Sequence, residues 1–124
     1  MIGYVTLGTN DLDRGAAFYD PVLAEAGAKR FSTTERMLVY GVEPDAPMLM
    51  LCTPWDKQEA TVGNGVMVSL KVDSREVVDR IHAKALELGA ADEGAPGPRG
   101  QTGGYFAYFR DMDGNKLAAF TMGE

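Results

Sequence analysis

Apolar positions in this chain follow two periods, one of two residues and one of three to four, in the same order twice. Residues 2–8 alternate, with Val5 and Leu7 pointing one way and Tyr4 and Thr6 the other, as in a strand backed by a helix. Asn10-Asp11 offers an N-cap, and Leu12, Ala16, Tyr19, Leu23 and Ala26 recur at helical spacing. Pro21 falls inside that pattern. Proline lacks an amide hydrogen and clashes with the preceding turn, so the sequence predicts a helix ending near Tyr19 and a short second one from Pro21, closed by Gly27. Residues 28–31, 35–42 and 46–53 read as strands, with Pro44-Asp45 as a turn. The polar stretch 54–64 reads as a connection.

The pattern then restarts. Val66, Val68, Leu70 and Val72 form one strand face, and Met67, Ser69 and Lys71 the other. Asp73 reads as the next helix cap, with Glu76 three residues on completing a capping box. Val77, Val78, Ile81, Ala85 and Leu88 give the buried stripe, and Gly89 ends it. A strand begins over 90–93, and residues 94–103 read as a Pro/Gly loop. A last hairpin follows over 104–120, aromatic on its first arm and turning at Asp111-Met112-Asp113-Gly114-Asn115. The order is βαβββ twice. Asp11 and Asp73 are 62 residues apart, as are Gly27 and Gly89, which argues for a duplicated unit. Each half has about 55 residues, marginal for a core alone, so the halves are expected to share one and to leave a cleft between two curved sheets.

Composition narrows this picture. A chain of 124 residues, 45% apolar and 24% charged, suits one soluble globular domain. A net charge of −6 makes nucleic acid and anionic membrane poor partners. The single cysteine, Cys52, excludes an internal disulfide and suits a reducing cytoplasm. No apolar run approaches the roughly 20 residues of a membrane span. The start, MIGYVTLG, lacks a basic segment, so no signal peptide is expected.

Three stretches together resemble the vicinal oxygen chelate superfamily, which includes glyoxalase I, extradiol dioxygenases and bleomycin-resistance proteins. They are YVTLGTNDLDRGAAFYDPVL (4–23), GNGVMVSLKVDSREVVDRIHAKALELGA (63–90) and FRDMDGNKLAAF (109–120), the last with Met112 where proline is usual. The resemblance implies an α+β fold of two βαβββ modules, packed as a pair of curved mixed sheets with helices outside. The chain would be one domain, with modules over 1–55 and 65–124 joined by 56–64. Metal enzymes of the family place His or Glu ligands on inner strands. By that resemblance the ligand positions fall on Tyr4, Met67 and Ala118, and near Met50. None is an imidazole or carboxylate, and divalent metals need several such groups converging. No metal and no cofactor are therefore expected.

The remaining chemistry is sparse. His82, the only histidine, could act as a general base but reads first as a helix-flank residue. Cys52 could be a nucleophile, or a small buried hydrophobe. Thr6 and Ser69 could donate to a ligand. Tyr4, Tyr40, Tyr105 and Tyr108 could line a pocket wall, although the face taken by the aromatic strand is open. Met48, Met50 and Met67 could soften a binding surface. Trp55 and Arg99 are candidates in connecting segments, Arg99 for an anionic group. The expected function is binding of a small, partly apolar molecule. The alternatives are a glyoxalase- or dioxygenase-type enzyme with metal ligands elsewhere, or metal-independent catalysis by Tyr4 or His82. By resemblance the chain would be a cytoplasmic homodimer.

Overall fold

The βαβββ order occurs twice in the computed structural model, which describes residues 1–101 and 103–123. Thr102, within the predicted 94–103 loop, and Glu124 lie outside the described residues. The chain divides into two compact units, Met1–Val62 and Gly63–Glu124.

In the first unit, β1 (Tyr4–Gly8) leads through α1 (Leu12–Glu25) to β2 (Lys29–Thr33), β3 (Met37–Gly41) and β4 (Met48–Cys52). The sheet order is β1-β4-β3-β2, with β1 parallel to β4 and the other pairs antiparallel. Alternation sorts the side chains. Leu7, Leu38, Tyr40, Leu49 and Leu51 are buried on the side of α1, whose Phe18, Tyr19, Val22 and Leu23 are buried in turn.

The predicted break at Pro21 does not occur: α1 is continuous, with Pro21 inside it. An interior proline costs ~3 kcal/mol. Burying Phe18, Tyr19, Val22 and Leu23 on either side of it stabilises the helix by ~1.5–3 kcal/mol each, so packing outweighs the lost hydrogen bond. Gly15 lets α1 approach the sheet, since a Cβ there would stand 2.2 Å from Leu51 Cδ2.

In the second unit, β5 (Val68–Lys71), α2 (Arg75–Glu87), β6 (Ala91–Arg99), β7 (Gly104–Arg110) and β8 (Lys116–Thr121) repeat the scheme, with sheet order β5-β8-β7-β6. The cap of α2 is Ser74 rather than Asp73, its Oγ accepting from the Val77 amide at 3.3 Å. Counted from Ser74, the third helical residue is Val77, so there is no capping box. The true N-caps, Asp11 and Ser74, are thus 63 residues apart. The helix exits keep the spacing of 62. The Gly27 and Ala28 amides bond the Ala24 and Leu23 carbonyls, and the Gly89 and Ala90 amides bond those of Leu86 and Ala85. Both glycines take positive φ, +80° and +104°, as this C-terminal motif requires.

β6 runs on through Arg99 where a loop was expected after Glu93. Register shifts between Asp92 and Gly97 absorb the glycines, and an edge strand tolerates Pro96 and Pro98. The hairpin turn forms around Asp111, whose carboxylate accepts from the Asp113 and Asn115 amides and from Asn115 Nδ2, each at 2.9 Å. Among the described residues no helix is long and apolar enough to cross a membrane.

Candidate functional site

Each sheet has one face against its helix and a distal face turned away from it. Strand register settles which candidates share a distal face. In the first unit Tyr4 pairs with Met48, Thr6 with Met50, and Gly8 with Cys52; across β3, Met50 meets Val39 and Cys52 meets Met37. Tyr4 is 61% exposed and Thr6 exposed, while Met48, Met50 and Cys52 are half-buried. Tyr4, Thr6, Met50 and Cys52 therefore line one surface of phenol, hydroxyl and soft sulfur.

In the second unit Ser69 pairs with Ala118, Ala118 with Tyr108, and Tyr108 with Gly94. Ala118 is fully buried and Ser69 is exposed. Arg99 reaches this face, its guanidinium carbon 5.7 Å from the Tyr108 ring centroid. Met67 lies before β5 and is 45% exposed. Thr6 and Ser69 are 63 residues apart, the spacing of the helix caps, so the repeat sets a hydroxyl at the same point of each sheet.

Tyr105 does not share a face with Tyr108. Its hydroxyl donates to Asp79 Oδ1 of α2 at 2.7 Å, and the Arg75 guanidinium lies over its ring. The bond to Asp79 raises the phenol's pKa. His82 is likewise on the helix side. It is buried, with Nε2 3.0 Å from Asp92 Oδ1 on β6. The Gly94 amide, and then His82, lower the Asp92 carboxyl. A buried imidazole spanning helix and strand is a structural link, set apart from the distal face.

Tyr40 is also on the helix side, its hydroxyl donating to Asp20 Oδ1 at 2.6 Å. Asp20 pairs with Arg30 as well. Burial raises the Asp20 carboxyl, but its bonds from Arg30 and Tyr40 bring it below the ordinary value; burial and then Asp20 raise the Tyr40 phenol.

Trp55, 83% exposed, lines a groove of about 700 Å³ where β1 and β4 end. The Arg36 guanidinium lies 5.3 Å from its ring and donates to the Thr53 carbonyl. Glu35, Glu59 and Lys57 complete the charged lining. Sequence reasoning found Trp55 but missed Arg36, in a stretch read as a strand, and Lys57, in the polar connection, because nothing in the sequence marks which charges converge.

The four positions aligned by resemblance with metal ligands hold a phenol, two thioethers and a methyl. Among the described residues no three His, Cys, Asp or Glu side chains are grouped to hold a metal ion. The residues present do not fit a divalent site.

Residues 1–119 match the family model of the Glyoxalase/Bleomycin resistance protein/Dioxygenase superfamily. No curated protein sequence matches the chain. A glyoxalase/bleomycin resistance protein from Albidiferax ferrireducens T118 is 34% identical over 98% of each chain, with a TM-score of 0.89. Hypothetical protein SA1046 from S. aureus is 27% identical, over 98% of this chain and 92% of that one, with a TM-score of 0.74. A lactoylglutathione lyase from Agrobacterium tumefaciens, 22% identical with a TM-score of 0.70 over 98% of this chain and 92% of its own, shares the fold. With its duplicated βαβββ units and a family match over nearly its full length, the chain belongs to the glyoxalase/bleomycin resistance protein/dioxygenase superfamily.

Proposed function

We propose that this protein binds a small, partly apolar molecule on the distal faces of its sheets, without a catalytic metal at the family's usual ligand positions. One observation carries the reading: the surface of Tyr4, Thr6, Met50 and Cys52 combines exposed polar tips with half-buried sulfur, in register on adjacent strands. Such a surface supplies adaptable apolar contact and a few hydrogen bonds, which is how small-molecule sites are composed. Tyr4, Met50, Met67 and Ala118, read as ligand-lining residues, contribute no imidazole or carboxylate. Ser69, Arg99 and Tyr108 extend the same role to the second unit, and Trp55 offers a stacking face in its own groove.

Elemental analysis of the purified protein tests the metal-free reading, and stoichiometric zinc, iron, manganese or nickel would overturn it. Native mass spectrometry tests for a retained organic ligand. We also propose a cytoplasmic homodimer. β1 and β5 end their sheets, with Ile2, Tyr4, Val66 and Met67 exposed at or beside them. Monomer at micromolar concentration in sedimentation would count against the dimer.

A further inference from the structure

The protein carries a net charge of −6, yet cations gather on the distal face of its second sheet. By register Lys71 and Phe120 share a row there with Phe106, and Lys116 stands two residues before Ala118 on the same side of β8. The Lys116 ammonium is 5.5 Å from the Tyr108 ring centroid, and the Arg99 guanidinium also lies over that ring. Glu93 on the edge strand β6 is bonded to Arg110 Nε at 3.0 Å. Neither Arg99 nor Lys116 pairs with a carboxylate among the described residues.

Arg99 is held by carbonyls instead. Nη2 donates to Ala95 O at 2.5 Å and Nη1 to Pro98 O at 3.3 Å. Carbonyls orient the guanidinium without cancelling its charge, and they leave N–H donors of the fork unspent. Two glycines make room for this arrangement. A Cβ on Gly97 would come 2.9 Å from Arg99 Nη1, and one on Gly94 would come 2.8 Å from Tyr108 Cδ2. Beside the cations stand three near-parallel rings. Phe106 and Tyr108 have centroids 6.2 Å apart at 8°, and Phe106 and Phe120 are 5.1 Å apart at 7°.

Oriented, uncompensated cations next to a stack of flat rings select for two features in one molecule. A carboxylate takes charge-assisted hydrogen bonds from a guanidinium fork, and an aromatic ring finds apolar area of matching shape. We infer that this face binds small molecules joining a planar aromatic ring to a carboxylate, the ring against Phe106 and Phe120 and the carboxylate beside Tyr108, drawn by Arg99 and Lys116. The inference rests on the proposal that the distal sheet faces hold the ligand, and it names the ligand's chemical class.

The test titrates the full chain with 2-naphthoate and with its neutral counterpart, 2-naphthamide, by calorimetry and by the NMR shifts of the Phe106, Tyr108 and Phe120 rings. Naphthoate is expected to bind at least about tenfold tighter than the amide and to weaken as salt rises. Arg99→Gln and Lys116→Gln should each weaken naphthoate severalfold and leave naphthamide unchanged. Equal binding of the two probes would overturn the carboxylate assignment while leaving the sheet-face reading in place. Unchanged naphthoate affinity in the double variant would overturn the roles of Arg99 and Lys116. Ring signals that neither probe shifts would overturn both the inference and the reading beneath it.

Discussion

The hydroxyl of Tyr105 on β7 donates to Asp79 on α2 across 2.7 Å, tying the aromatic strand to its helix from the covered side. The bond fixes the strand's orientation. With Tyr105, Ala107 and Phe109 turned toward α2, Phe106 and Tyr108 must face the other way. The first unit uses the same device, Tyr40 bonding Asp20 of α1, but there the tyrosine is buried.

That difference in burial sets the first prediction. Tyr40→Phe should cost about 1–2 kcal/mol in urea unfolding, because it removes a part-buried bond from a buried phenol to a charged acceptor while leaving Asp20 with Arg30. Tyr105→Phe, at an exposed bond, should cost only about a few tenths.

The same cluster gives a pH dependence. The Asp20 carboxyl lies below its ordinary value of 3.8 in the folded protein. Its contribution is therefore in place above that value and is lost as pH falls through the lower, folded one. The Tyr40 phenol is raised above 10.0, so its contribution is in place below that value and is lost as pH rises through the folded one. Urea midpoints measured across the acid range should fall less steeply in Asp20→Asn than in the parent protein.

Gly15→Ala sets two effects against each other. Alanine gains about 1 kcal/mol of helix propensity over glycine. Its Cβ would stand 2.2 Å from a methyl of Leu51, which is itself 2% exposed and has little room to move. Overpacking costs typically 1–3 kcal/mol, so the variant should be net destabilised by about 1 kcal/mol. A raised melting temperature would contradict this close approach of α1 to β4.

Pro21→Ala should move the other way. The substitution restores a helical amide donor where packing already holds α1 continuous. A gain of about 1 kcal/mol in equilibrium unfolding is expected, part of the helical gain being offset by the freer unfolded chain.

His82 and Tyr4 separate a structural role from a functional one. His82→Ala should lower stability by about 2 kcal/mol through lost packing and the lost link to Asp92, with ligand affinity unchanged. Tyr4→Phe, at a 61% exposed position, should leave stability within about 0.5 kcal/mol and weaken ligand binding. Turnover abolished in Tyr4→Phe would favour the metal-independent enzyme instead.

Most of the fold was legible because duplication wrote it twice. Alternation in β1 and β5, helical stripes before Gly27 and Gly89, and a turn built on Asp111 and Asn115 are local signals. The errors came where local chemistry met tertiary packing. Pro21 reads as a break because sequence does not reveal how much apolar surface flanks it. Asp73 reads as a cap because Asp and Ser compete for that role, and backbone geometry chooses between them. β6 reads as a loop because bulges hide an edge strand among glycines and prolines. The distal faces were half legible: Thr6 and Ser69 follow from alternation, and Met50 from the family resemblance. Phe106, Phe120 and Lys116 needed the register of β7 on β8, and the seat of Arg99 needed the empty spaces over Gly94 and Gly97.

The helix exits at Gly27 and Gly89 carry one more implication. Both launch the following strand two residues later, at Lys29 and Ala91, after the same pair of glycine- and alanine-amide bonds to helix carbonyls. The helix starts have drifted by a residue relative to one another, while the ends have not. A segment spanning either exit is therefore an interchangeable cassette. Transplanting residues 24–28 onto 86–90 should yield a chain that still folds, whereas exchanging the two whole helices, 14 residues in α1 against 13 in α2, would shift one end of each out of phase.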